Sequence, residues 1–85
     1  MNDTDTLPAV LRRLGATPRE RGCVQEWSCP DIFELTNGDF AVIGTDRTEE
    51  LSHRLPADAG CAPYERIVVI TRQTLLAARA DIPLN

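Results

Sequence analysis

Asn37-Gly38, set between two apolar runs, constrains this chain more than any other feature. Asn-Gly tolerates positive φ at both central positions of a type I′ turn, the turn whose twist matches that of two antiparallel strands. The spacing therefore predicts a hairpin, with strands at Asp31–Leu35 and 40–44 joined through Thr36-Asn37-Gly38-Asp39. A lone hairpin is marginal in water, so the rest of the chain must cover it.

The flanking segments supply candidates for that cover. Leu7, Val10, Leu11 and Leu14 recur at i, i+3, i+4, i+7, one face of a helix. Asp5 or Thr6 would cap it, Pro8 suits its first turn, Gly15 suits the position just past its end, and Pro18 prevents its resumption. Residues 16–22 read as a loop and residues 23–27 as a short strand stopped by Pro30. Asp46 and Glu49 have capping-box spacing, which predicts a short helix over 47–55 that buries Leu51 and Leu55. Residues 56–63 form the longest loop. The continuous β-branched run ending at Ile70 predicts a buried strand from Tyr64 or Glu65. Thr71 then caps a helix from Arg72 to about Ala80. Ile70 and Leu75 stand in the N′ and N4 positions of a hydrophobic staple. The order is helix, short strand, hairpin, short helix, strand, helix. That order predicts an α+β fold, a small antiparallel sheet of 3–4 strands with short helices packed on one face.

At 85 residues the chain is one domain, 1–85, with its polar start at 1–5 expected to be disordered. Apolar residues make up 42% of it, enough for a core. A chain this short nevertheless buries only about 60% of its unfolded surface, so a second copy or another protein is expected to supply the missing cover. All nine basic residues are arginine, and the net charge is −4. That balance argues against direct nucleic-acid binding, in which phosphate neutralisation supplies most of the affinity. Arg12, Arg13, Arg19 and Arg21 still give the N-terminal third a local basic patch, read as a solvated helix face and loop. No basic, apolar leader opens the chain. The longest apolar run, at 67–70, falls far short of the roughly 20 residues a membrane span needs. No membrane association and a cytoplasmic location are expected, with the three cysteines reduced.

Four side chains could carry chemistry. Cys23, Cys29, Cys61 and His53 suffice for a Cys3His zinc site. Their spacing opposes it, because structural zinc favours ligand pairs two to four residues apart and five residues separate Cys23 from Cys29. A Cys29–His53 nucleophile pair lacks any surrounding signature. His53, between Ser52 and Arg54, reads as a solvated side chain on a polar helix face. The thirteen carboxylates are scattered: Asp31, Glu34 and Asp39 surround the hairpin, and Asp46, Glu49 and Glu50 open a helix, where they complement its dipole. The glycines are dispersed and form no phosphate loop. No catalytic residue, cofactor or metal is expected.

Trp27-Ser28-Cys29, Phe33-Glu34-Leu35, the run Ala41-Val42-Ile43-Gly44-Thr45-Asp46 and residues 67–76 together resemble a domain of small actinobacterial proteins encoded beside helix-turn-helix regulators. The terminal helix lacks that family's tryptophan, and the N-terminal segment and residues 47–56 are additions to it. The resemblance implies an accessory protein that binds a regulator and modulates transcription indirectly, and it carries over no catalytic residues. The expected function is thus a non-enzymatic protein-interaction or accessory regulatory module, contacting its partner through the hairpin edge or an apolar face of a terminal helix. The alternative is a small metal- or thiol-dependent site protein using Cys23, Cys29, Cys61 and His53.

Overall fold

The computed structural model describes residues 8–25 and 28–84. The expected disorder at 1–5, and the contribution of Trp27 to the segment before Pro30, lie outside them. The fold is α+β, with a three-stranded antiparallel sheet, a two-stranded ladder and two short helices. Strands β1 (Val10–Arg13), β2 (Asp31–Leu35) and β3 (Phe40–Ile43) pair in that order, which places β2 at the centre.

The hairpin forms as expected, but its loop is one residue longer than the expected turn. Gly38 donates to Leu35 O at 3.1 Å, and Leu35 N–H reaches Asp39 O at 2.9 Å. Gly38 alone has positive φ, +92°. This is the three-residue hairpin loop with a left-handed residue before the second strand, not the two-residue type I′ form. Asn37 serves it through its side chain, which accepts from Asp39 N–H at 3.0 Å.

The N-terminal helix is not formed; residues 10–13 are strand β1. Val10 pairs with Leu35, Arg12 with Glu34 and Arg13 with Phe33, with an irregularity between Val10 and Arg12. Two ion pairs favour the strand. Arg12 Nε donates to Glu34 Oε1 at 2.8 Å on one face, and Arg13 Nε to Asp31 Oδ1 at 3.0 Å on the other. Arg13 also lies 5.3 Å over the Phe33 ring, a cation–π contact. An isolated helix of about two turns could not compete with these pairings. Residues 23–25 are not a strand either, and residues 18–22 form a turn.

Helix α1 is short, Thr48–Leu51, followed by a 3-10 turn at Ser52–Arg54. The Asp46–Glu49 capping box does not close. Instead Asp46 Oδ1 accepts from Thr48 N–H at 3.0 Å and from the Thr48 hydroxyl at 2.7 Å, and Arg66 Nε donates to Asp46 Oδ2 at 3.0 Å. Those bonds, Thr48's first, hold the Asp46 carboxyl down at about 2. Thr48 Oγ1 also accepts from Ile67 N–H at 2.8 Å. That bond diverts the backbone ahead of the ladder, so the expected strand through Ile70 shrinks to β5, Val68–Val69, paired with β4, Thr45–Asp46. Both valines are exposed, which corrects the expectation of a buried strand.

Helix α2 runs Arg72–Ala78 and continues as a 3-10 turn at Arg79–Asp81. Thr71 caps it as expected, its hydroxyl accepting from Thr74 N–H at 3.2 Å. The helix lies against the sheet face that carries Ile32, and its end is tied down by polar bonds. Gly15 N–H donates to Asp81 Oδ2 at 2.7 Å and Arg12 Nη2 to Asp81 O at 2.7 Å. The core beneath it is Leu14, Ile32 and Ala78, with Ile70 packed alongside. Leu14 and Ile32 are its large members, worth roughly 1.5–3 kcal/mol each in burial.

Candidate functional site

So small a core leaves a large apolar remainder. Part of it lines one face, while Val10, Leu11, Ile43, Val68 and others are exposed elsewhere. Phe40 and Val42 on β3, and Leu75 and Ile82 on and just after α2, are 43%, 45%, 54% and 46% exposed.

These four side chains form the walls of an open groove between β3 and α2. Its floor is the core itself, Leu14, Ile32, Ile70 and Ala78. Strand alternation accounts for one wall. Ile32 pairs with Val42, and Glu34 with Phe40, so these residues share the sheet face beneath α2. The staple spacing of Ile70 and Leu75 accounts for part of the rest, since both line the groove. The space measures about 220 Å³, below the roughly 300–1,000 Å³ of small-molecule sites. With only apolar side chains around it, it suits one or two apolar side chains of another protein better than a cofactor.

On the opposite sheet face charge is buried around Asp31, beside an exposed Ile43. Asp31 is buried, and its carboxylate meets Arg13 at 3.0 Å and Arg21 at 3.7 Å. The Arg21 side chain is only 6% exposed and also donates to the carbonyls of Ala16 and Pro30. The basic patch read from the sequence is therefore not a free basic surface. Arg12, Arg13 and Arg21 are all engaged in ion pairs, and Arg12–Arg13 lie on a strand, not a helix. Several carboxylates are similarly employed: Glu34 with Arg12, Glu50 with Arg47, Asp39 with Asn37, Asp46 with Thr48 and Arg66.

Cys23 and Cys29 are joined in a disulfide, with Cα atoms 6.4 Å apart. This corrects the expectation of three reduced thiols. An odd count forbids only complete pairing, and between the two cysteines the chain turns, with Ser28 N–H donating to Gln25 O at 2.9 Å. Cys61 is the free thiol, half-buried, with its Sγ 3.3 Å from Glu65 O. His53 is exposed on the 3-10 turn after α1. Among the described residues no group of three or more His, Cys, Asp or Glu side chains is placed to hold a metal. The structure thus brings Cys23 and Cys29 together and gathers no metal-binding set from them, His53 and Cys61. The thiol of Cys29, once paired, is also no nucleophile for His53 to activate.

Reduction of this bond has a measurable consequence. It closes a loop with sequence separation 6, for which the chain-entropy model gives about 2 kcal/mol. Cys23→Ser, or dithiothreitol, is expected to lower Tm by about 10 °C. Calorimetry with and without reductant reads this directly, and an unchanged midpoint would mean that the pair contributes nothing to the fold.

Sequence reasoning missed the groove as a unit, although each wall had its own signal in the apolar strand run at 40–43 and the staple at 70–75. No helix among the described residues is long and apolar enough to cross a membrane. No protein-family model matches the chain, and no match is found among curated proteins or solved structures.

Proposed function

We propose that this chain is a non-enzymatic protein-interaction module, which seats apolar side chains of a partner in the groove between β3 and α2. The observation that carries the reading is the groove itself, an apolar cleft left open beside a core of Leu14, Ile32 and Ala78. Exposed apolar side chains gathered in one place mark interaction sites on folded proteins, whereas scattered ones do not. The net charge of −4 and the ion-paired arginines favour a protein over a nucleic acid as that partner. A DNA-binding regulator met in the cytoplasm is the partner that the family resemblance implies. The Cys23–Cys29 disulfide makes its redox state there part of the proposal.

Leu75→Glu tests the reading. Leu75 is more than half exposed, so the substitution leaves the core intact while putting a charge at the mouth of the groove. Quantitative affinity purification from native cells is expected to recover the wild type's specific partners at least tenfold less with the variant. Circular dichroism confirms that the fold is kept. Equal recovery by a folded Leu75→Glu protein would move the interaction site off the groove.

A further inference from the structure

The two edges of the three-stranded sheet are built differently. The β1 edge is obstructed by Pro8 ahead of the strand, by the irregularity between Val10 and Arg12, and by two arginines within it. Proline, bulges and charge are devices that stop a sheet edge from pairing with another chain. The β3 edge, Phe-Ala-Val-Ile, has none of them.

Hydrogen-bond alternation shows what this edge presents. Leu35 N–H bonds Asp39 O, and bonded pairs alternate with non-bonded ones along an antiparallel ladder. The Phe33–Ala41 pair is therefore bonded, and the Glu34–Phe40 and Ile32–Val42 pairs are not. The N–H and C=O groups of Phe40 and Val42 point away from β2. Since β3 ends the sheet, they face the open side.

We propose that the occupant of this edge is a second copy of the chain, paired β3 to β3 in antiparallel fashion about a two-fold axis through Ala41. In this register Phe40 of one copy exchanges two backbone bonds with Val42 of the other, and the symmetric pair repeats them. A two-fold contact must be self-complementary, and outward groups spaced evenly on either side of a small residue satisfy that condition. Phe40 and Val42 lie on the groove face, so pairing sets each ring beside the other copy's valine, a favourable cross-strand combination. The two grooves then join into one apolar surface on a six-stranded sheet. The edge strand has apolar surface to bury in such a contact, since Phe40, Val42 and Ile43 are 43%, 45% and 55% exposed. This inference rests on the groove reading above in one respect, that the β3 wall is an interaction surface.

Sedimentation velocity up to about 1 mM protein tests it. The wild type is expected at twice the chain mass. Val42→Pro is expected to weaken association at least tenfold without unfolding the hairpin, because the N–H it removes is not in the β2–β3 ladder. The register is tested separately in a Cys61→Ser background. Ala41→Cys is expected to give a disulfide-linked dimer on oxidation, since residue 41 meets itself across the axis. Ile43→Cys, which meets residue 39, is expected to give little. A wild-type monomer at every concentration overturns the proposal, and so does a dimer that crosslinks at 43 in preference to 41. A partner's strand on this edge would show as a one-to-one complex with monomeric chain and would equally overturn it. The two readings fail separately. A monomeric wild type whose Leu75→Glu variant still loses its partners sinks only the self-pairing. A β3-paired dimer whose Leu75→Glu variant keeps every partner sinks only the groove.

Discussion

Gly15→Ala is expected to lower Tm by 10 °C or more, far beyond what the loss of one glycine in a turn would cause. Two separate costs meet at this residue. Its φ is +86°, a region that costs an L residue roughly 1–2 kcal/mol. A Cβ there would also lie 2.5 Å from Ala77 O, 2.6 Å from Ala77 C and 2.9 Å from Ala78 N. These are backbone atoms of α2, so no side chain can rotate away, and the helix itself must shift. Overpacking of this kind costs about 1–3 kcal/mol. Together the terms reach roughly 2–5 kcal/mol, out of about 4–13 kcal/mol for a chain of this length at typical stability per residue. Displacing α2 would also break the Gly15–Asp81 bond and open the groove floor at Ala78. Gly22 is the natural control. Its φ is +87°, but nothing lies within 4 Å of a Cβ there, so Gly22→Ala carries the backbone cost alone. Thermal melts of the two variants separate the terms. Equal shifts would mean that α2 is not seated on Gly15.

Gly15 also shows how the sequence can be right about a residue and wrong about its setting. It reads as the residue past a helix end and does need positive φ, but what precedes it is a strand. Helical spacing misled there because the irregularity between Val10 and Arg12 breaks strand alternation, leaving Val10, Leu11 and Leu14 at intervals that mimic a helix face. The decisive signals were charges rather than apolar positions. Arg12 and Arg13 go to opposite faces to meet Glu34 and Asp31, pairings invisible without the fold. By contrast, the hairpin and the Thr71 cap depend on local chemistry within a few residues, and both were legible. The run at 67–70 was apolar and β-branched, yet Val68 and Val69 are exposed. Composition reports that a segment favours burial, whereas burial depends on whether this chain has anything left to cover it. The same distinction governs the candidate site. Leu75 was legible as facing inward, Phe40 and Val42 only as strand residues, and the shortage of cover that leaves them as an open groove is a property of the whole fold.

Asp31→Ala should be about as damaging as the change at Gly15, at roughly 3–5 kcal/mol, the usual cost of breaking a buried ion pair from one side. The cost falls unevenly on the two arginines. Arg13 keeps about a third of its side chain in solvent and can be hydrated when its partner is lost. Arg21 is 6% exposed, so without Asp31 its charge stays buried with only the carbonyls of Ala16 and Pro30 as acceptors. Loop 16–22 would then leave the sheet to hydrate the guanidinium. Urea unfolding of Asp31→Ala, Arg21→Met and the Asp31→Leu/Arg21→Met double variant distinguishes a stranded charge from lost packing. If the stranded charge dominates, the apolar double variant recovers most of the stability lost by Asp31→Ala, because desolvation of both ions no longer has to be offset. A loss below about 1 kcal/mol for Asp31→Ala would mean that Arg21 is hydrated in the folded chain. The sheet face opposite α2 would then be as open as the groove. The expected large loss instead means that buried charge seals this face around Asp31, beside an exposed Ile43, while the groove and the β3 edge stay open to a partner.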